Sequence, residues 1–316
     1  MEVIHGLERF PAQRVPLILC LGMFDGVHRG HRALIDAALS HARALEGRCA
    51  AITFDPHPVR VISDPPGPVL LTTVPERLGL LAEDGADLAV VVRFDDTLRT
   101  SSPDEWIRVL VDATKMRAVF CGPNYSFGFE RRGNVDVLQR TGGRDGFEVH
   151  VVPAVTIDGT VVSSTAIRRF VRAGDMKAAA RQLGRWYAVH GEVVRGDGRG
   201  VELGFPTANV MPPVDKVLPA SGIYAAFVHT VDRAYGAATS VGTRPTFGGG
   251  ELVIEAHLLD YEGTLYGETI GIHFVERLRD ERAFTSVDAL VAQMREDVAA
   301  TRRILAGVGG HPFGES

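Results

Sequence analysis

The chain has 316 residues, a formal net charge of −5 and 45% hydrophobic residues. That length and apolar content fit two soluble globular domains rather than one. The acidic balance argues against nonspecific nucleic-acid binding, which needs a basic surface. The opening MEVIHGLERFPAQRV has no basic stretch followed by an apolar one, and no run approaches the roughly 18 apolar residues of a membrane span. Cys20, Cys49 and Cys121 lie in apolar runs without C-x-x-C spacing. They read as small buried hydrophobes in a reducing compartment. The expectation is a cytoplasmic protein that binds neither membrane nor nucleic acid.

In chain order, Pro16–Leu21 (PLILCL) reads as a buried strand closed by Gly22. From His31 to Glu46, Leu34, Ile35, Ala38, Leu39, Ala42 and Leu45 make a helical stripe. Ala50–Phe54 reads as a strand. Thr73-x-x-Glu76 is a capping box opening a helix through Leu81. Ala89–Phe94 is a strand. Ser102-Pro103-Asp104-Glu105 starts the next helix, with proline at its first position. Ala118–Cys121 and Glu148–Val152 are further strands. This alternation predicts an α/β domain with a doubly wound, mostly parallel sheet. After Gly184 the pattern changes to YAVHGEVV, GIYAAFVHTV, YGAATSVG, LVIEAHLL and TIGIHFV, punctuated by Gly, Pro and Asp. These runs predict an antiparallel barrel or sandwich. A last helix follows, with Thr285-x-x-Asp288 expected to cap it and Leu290, Val291, Met294, Val298, Ile304 and Leu305 on one face. The domains are read as 1–183 and 184–316.

The first strand runs into Gly22-Met23-Phe24-Asp25-Gly26-Val27-His28-Arg29-Gly30-His31 and then a helix. A helix N-terminus after a parallel strand is an anion site, because its first N–H groups lack intrahelical partners and carry the positive dipole end. Glycine lets backbone approach a phosphate closely. His28 and His31 stand one turn apart, so both rings can aim at one place and donate to phosphoryl oxygens. Fixed donors there would stabilise the charge of a phosphoryl transition state. A zinc site would need a third ligand, usually in H-E-x-x-H spacing. Two incidental surface histidines are the other alternative. No Gly-Lys dipeptide occurs, which excludes a Walker-type loop.

His28-Arg29-Gly30-His31 resembles the H-x-G-H signature of nucleotidyltransferases, which attack the α-phosphate of a nucleoside triphosphate. Ser163-Ser164-Thr165-Ala166-Ile167-Arg168, at another helix start, is similar to their second element. Further matches are Thr53-Phe54-Asp55-Pro56-His57-Pro58 and Gly122-Pro123-Asn124-Tyr125-Ser126-Phe127-Gly128. Together they resemble the adenylyltransferase module of the bifunctional bacterial riboflavin kinase/FMN adenylyltransferase (FAD synthetase) family. The resemblance implies a Rossmann-like nucleotidyltransferase domain in which His28, His31 and Arg168 are catalytic. Gly22, Phe24, Gly30, Asn124, Ser164 and Thr165 would bind ATP and its phosphates. His57, Pro58, Tyr125 and Phe127 would bind the flavin; for His57-Pro58 a rigid X-Pro turn stays an equal alternative.

In the second half, Gly196-Asp197-Gly198-Arg199-Gly200 precedes Leu203-Gly204-Phe205-Pro206-Thr207-Ala208-Asn209. A glycine-rich loop presents N–H groups to phosphate without a Walker lysine. Thr207 and Asn209 fall on one strand face, offering two oxygens of the kind that ligate Mg²⁺. G-F-P-T-A-N, with Gly242-Thr243-Arg244-Pro245-Thr246-Phe247 and Glu255-Ala256-His257-Leu258-Leu259-Asp260, resembles the riboflavin kinase module of the same family. That implies a six-stranded Greek-key barrel with a C-terminal helix. Gly198, Gly200 and Thr207 would hold ATP phosphates, Thr207 and Asn209 would hold Mg²⁺, and Glu255 would be the catalytic base. Composition alone does not separate Glu255 from Glu251 or Asp260; the motif position does. Many members carry a basic residue after the glycine matching Gly200; here it is Val201, beside Arg199.

The implied activity is two-step FAD formation: riboflavin to FMN, then FMN to FAD, with ATP as co-substrate at both sites and Mg²⁺ as cofactor. Riboflavin, FMN, FAD and ATP are the expected partners, with the chain a monomer or weak homo-oligomer. Two alternatives stand beside it. One is an N-terminal half that adenylylates another phosphorylated substrate; the other is a non-catalytic flavin carrier.

Overall fold

The computed structural model describes residues 1–62, 70–196, 198–244 and 251–308. Residues 245–247 of the G-T-R-P-T-F motif and Asp197 of the glycine-rich loop lie outside them. The chain divides into two compact units, Met1–Ser164 and Thr165–Ser316.

The first unit is a six-stranded sheet. Its strands are β1 (Glu2–His5), β2 (Leu17–Leu21), β3 (Arg48–Asp55), β4 (Leu88–Arg93), β5 (Ala118–Cys121) and β6 (Glu148–Val151). They lie in the order β1-β4-β3-β2-β5-β6, and every pair is parallel. Parallel strands are covered on both faces, so β2 is buried at every position. Leu17, Leu19 and Leu21 pack in one core and Ile18 and Cys20 in the other. The helices are α1 (Arg29–Ala44), α2 (Pro58–Ile62), α3 (Val74–Glu83), α4 (Asp96–Thr100), α5 (Pro103–Thr114) and α6 (Val135–Asp145). α1 and α3 supply Ile35 and Leu81 to one core, while α5 and α6 supply Ile107 and Leu138 to the other. The sheet is therefore doubly wound. Its strand order reverses between β2 and β5, where α/β sheets open a crevice beyond the strand ends.

Local signals set the helix starts. Thr73 accepts from Glu76 N while Glu76 takes the Thr73 amide at 2.7 Å; Ser102 and Glu105 do the same for α5. The hydrogen bonds from the Ser102 amide and hydroxyl hold the Glu105 carboxyl below its ordinary range. All three cysteines are buried and free.

A hairpin of β7 (Thr156–Ile157) and β8 (Thr160–Val161) precedes the second unit, which opens with α7 (Ser164–Ala173) and α8 (Met176–Leu183). The strands β9 (Tyr187–Val194), β10 (Ala208–Met211), β11 (Gly222–His229), β12 (Ala234–Arg244), β13 (Glu251–Leu258) and β14 (Thr269–Arg279) close a barrel in the order β10-β13-β12-β11-β14-β9. Every pair is antiparallel. β11, β12 and β13 form a meander, and β13 returns beside β10, the Greek-key arrangement. Alternation sorts the sides: Ile254, Ala256, Thr239 and Val241 are buried inside, whereas Glu255, His257 and Ser240 face outward. A short α9 (Arg199–Glu202) lies in the glycine-rich segment.

The last helix, α10 (Val287–Gly307), lays Leu305 and Ile304 against Ala225, Phe227 and Val275 on the barrel's outside. Its cap corrects the sequence expectation. Ser286, not Thr285, accepts the Ala289 amide, and Asp288 sits in the first turn instead of closing a capping box. Serine ranks above threonine as a cap, so propensity favours the position observed.

Candidate functional site

The segment between β2 and α1 is built under strain. Phe24 (φ 52°), Gly26 (φ 83°) and Val27 (φ 32°) all take left-handed backbone. For a β-branched valine that is an outlier, and such strain persists only where surroundings over-determine it. The surroundings are a buried polar knot. Both Asp25 carboxylate oxygens accept from the Leu71 amide, and Oδ1 also accepts from Thr72 N at 3.0 Å. Gly26 N donates to Thr72 Oγ1 at 2.9 Å. Arg77, wholly buried on α3, donates to Thr53 Oγ1 at 2.8 Å and lies 3.8 Å from Asp25. Ser164 Oγ donates to the Asp25 carbonyl at 2.8 Å.

The knot delivers the two imidazoles to one place. His28 caps α1: its Nδ1 accepts from His31 N at 3.2 Å, and His31 Nδ1 accepts from His28 N at 3.3 Å. The rings stack at 3.6 Å between centroids with 11° between planes. With each Nδ1 accepting from an amide, the neutral tautomer carries its proton on Nε2. The pair thus sets two imidazoles in near-parallel planes at the mouth of a helix, where anions bind. Gly30 permits this, since a Cβ there would press the His28 ring at 3.2 Å. Phe24 is fully buried and tilts against His31 at 5.1 Å, so its side chain supports the ring from the core side.

Beside this loop, at the C-terminal ends of β2, β3 and β5, opens a cleft of about 690 Å³. Gly22, Asn124, His57, Pro58, Tyr125 and Phe127 all line it. Two ring pairs stand in its walls: Phe54 and Trp106 meet at 5.8 Å, and Tyr125 and Phe127 stack at 5.4 Å. Burial holds the Tyr125 phenol above its ordinary range, against a hydrogen bond with Trp106. His57 Nδ1 accepts from Val59 N at the start of α2. The arrangement suits a flat aromatic ligand with a polar end near Asn124.

In the second unit, cross-strand register assembles the candidate residues. Asn209 on β10 pairs with Glu255 on β13, which pairs with Ser240 on β12. Register partners share a face, so an amide, a carboxylate and a hydroxyl form a row on the outer surface. A cavity of about 230 Å³ lies there, lined by Thr207, Glu255, Ser240 and His257, with Phe284 and Met294 beyond. Arg279 and Asp297 brace it with paired contacts at 2.9 and 2.7 Å, tying β14 to α10. Backbone crowds the polar residues: a Cβ on Gly196 would lie 2.3 Å from the Asn209 amide, and one on Gly200 would lie 3.4 Å from Thr207 Oγ1.

The chain matches known proteins along nearly its whole length. A FAD synthetase family profile covers residues 11–166 and a riboflavin kinase profile covers 183–305. The bifunctional riboflavin kinase/FMN adenylyltransferase of Pseudomonas fluorescens is 33% identical over 314 residues, 97% of this chain and 98% of that one. The Escherichia coli K12 protein of the same name is 34% identical, covering 95% of both chains. The chain belongs to the bifunctional riboflavin kinase/FMN adenylyltransferase family. A crystal structure described as a macrolide-efflux protein from Streptococcus pneumoniae also superposes, with TM-score 0.88 and 29% identity over 96% of this chain and 99% of that one. Among the described residues of this family member, no helix is long and apolar enough to cross a membrane.

Within the adenylyltransferase unit, His28, His31, Gly30 and Ser164 gather at the β2 end, while the cleft takes Gly22, Asn124 and the four residues expected at the flavin. Thr165 and Arg168 stand three apart on α7, Thr165 exposed and Arg168 half-buried, and belong to the second unit. In the kinase unit Thr207 immediately precedes β10, two residues before the strand's Asn209. Gly198 has φ 74° and open space around it, and Val201 is exposed. Sequence reasoning passed over Asp25, Arg77, Trp106 and Ser240 as functional positions. Asp25 lies inside the F-D-G-V-H motif and so carried a signal. Arg77 and Ser240 have no local signature, because long-range pairing alone brings them to their sites.

Proposed function

We propose that this chain makes FAD from riboflavin in two ATP-dependent steps, one in each unit. The observation that carries the reading is the stacked His28–His31 pair at the α1 N-terminus, beside an aromatic cleft, in a chain that also holds the Asn209–Glu255–Ser240 row on a barrel. In the kinase unit, Glu255 takes the proton of the ribityl 5′-hydroxyl as that oxygen attacks the ATP γ-phosphate, leaving ADP. In the adenylyltransferase unit, an FMN phosphate oxygen attacks the ATP α-phosphate and pyrophosphate leaves. The two Nε2–H donors, with the first amides of α1, hold the charge that builds on the phosphoryl oxygens. The cleft between His57-Pro58 and Tyr125-Phe127 takes the isoalloxazine. Asn124 orients the reacting phosphates, and Thr165 and Arg168, on α7, carry a hydroxyl and a positive charge of the kind a triphosphate takes.

Thr207 and Asn209 would bind Mg²⁺ in the kinase unit. Their donors are neutral hard oxygens, and Gly196 and Gly200 leave the space beside them that a Cβ would fill. The ion, when bound, offsets phosphate charge. The functional division at 183/184 assigns α7 and α8 to adenylyl transfer; in its support, the riboflavin kinase match begins at residue 183. A cytoplasmic location belongs to the same reading, supported by three buried free thiols.

Incubation of the purified chain with riboflavin, ATP and Mg²⁺, followed by chromatography, tests the proposal. FMN and then FAD are expected. FMN without FAD would point to another adenylyl acceptor, and unchanged riboflavin to a flavin carrier.

A further inference from the structure

The described residues hold a cluster of ligand-type side chains apart from both sites: His41, Glu148 and His150. His41 lies in the last turn of α1. Glu148 and His150, two apart on the edge strand β6, point to the same side of the sheet. Phe120, the β5 register partner of His150, fixes the rings: it stacks on His150 at 4.5 Å and 14°, and His41 tilts against it at 5.5 Å. The ligand atoms all lie within 4.8 Å of one another. Glu148 Oε2 is 2.9 Å from His150 Nε2 and 3.7 Å from His41 Nε2. A tetrahedral zinc ion about 2.0–2.1 Å from each donor spaces its donors about 3.3–3.4 Å apart, between those two distances.

A surface ion pair would need only the His150–Glu148 contact. It leaves His41 unexplained: its Nε2 is shut away from solvent and finds no hydrogen-bond partner among the described residues. We propose that His41, Glu148 and His150 bind a late first-row divalent cation of the zinc class, with the fourth position left to water. Two imidazoles and one carboxylate suit Zn²⁺, Co²⁺ or Ni²⁺ and not Mg²⁺, which prefers all-oxygen sites. The ion clamps the C-terminal turn of α1 to an edge strand that would otherwise be pinned mainly by its ladder with β5. His31 stands ten residues up the same helix, about 15 Å away, so the ion stabilises the unit without touching the phosphates.

The test uses the full-length chain, stripped with a chelator and titrated with Zn²⁺, and with Co²⁺ for its visible absorption, in the absence of nucleotide. The wild type is expected to bind Zn²⁺ at micromolar or lower concentration and to melt at a higher temperature with it. His150→Gln and the exposed Glu148→Gln should each weaken binding by more than about tenfold and abolish the melting shift, while FAD formation with Mg²⁺ stays at the wild-type rate. Co²⁺ should give the intense bands of a four-coordinate ion in the wild type only. Failure of the wild type to bind, or equal affinity in either variant, overturns the proposal.

Discussion

The two units solve the same problem, holding ATP against a flavin, by opposite constructions. In the adenylyltransferase unit one contiguous segment, Gly22–His31, carries both imidazoles, and a buried knot around Asp25 and Arg77 forces its backbone into place. In the kinase unit the proposed groups come from Asn209, Ser240 and Glu255, far apart in the chain and joined only by strand register. The loop's reactive groups are neighbours in sequence, although Leu71, Thr72 and Arg77 hold its backbone from a distance. A row across strands depends on every residue that fixes the register.

Four experiments can break or sharpen that contrast, taken from the largest expected effect down. Glu255→Gln should slow riboflavin phosphorylation by about 10²–10⁴-fold, while FMN supplied from outside is still adenylylated at the normal rate; a nearly unchanged kinase rate assigns the base elsewhere. His28→Ala should cut FAD formation by roughly 10²–10³-fold, the usual cost of one preorganised donor. Chromatography should then show FMN accumulating. Gly196→Ala should act at a distance of one side chain. Its Cβ would displace the Asn209 amide, lowering kinase kcat/KM by up to about 10²-fold with adenylyl transfer intact.

The smallest effect is on pH. Burial, reinforced by His229 and His190, lowers His273, on the outward face of β14, from its ordinary 6.5 to about 3. The folded barrel keeps this ring neutral where the unfolded chain protonates it. Stability is therefore full above about pH 6.5 and falls as pH drops toward 3, at up to about 1.4 kcal/mol per pH unit. Acid unfolding followed on the kinase unit should flatten in His273→Phe; an unchanged slope would place the acid sensitivity in other groups.

The same contrast explains what could be read before any coordinates. The strand-helix alternation, the capping boxes at Thr73 and Ser102, and the barrel's strands were all legible, because each depends on neighbours in sequence. So was the H-x-G-H segment as a strand-to-helix loop that puts both histidines at the start of α1. The Thr285/Ser286 cap is the exception: the T-x-x-D spacing points to Thr285, whereas the better-capping serine beside it takes the position. Arg77 was invisible for another reason: a lone arginine after a capping box looks like solvated surface, and only folding buries it against Asp25. The His41–Glu148–His150 cluster escaped in the same way, with His41 on α1 lying 107 and 109 positions before its two partners on β6.

Two-step synthesis makes FMN the product of one site and the substrate of the other, and we propose that it passes between them through solution. Equal amounts of His28→Ala and Asn209→Ala, each shown to be folded, should be mixed with riboflavin, ATP and Mg²⁺. Little or no FAD is expected from either variant alone, and rapid FAD formation from the mixture. A mixture that accumulates FMN or leaves riboflavin untouched, no better than its components, would contradict the account.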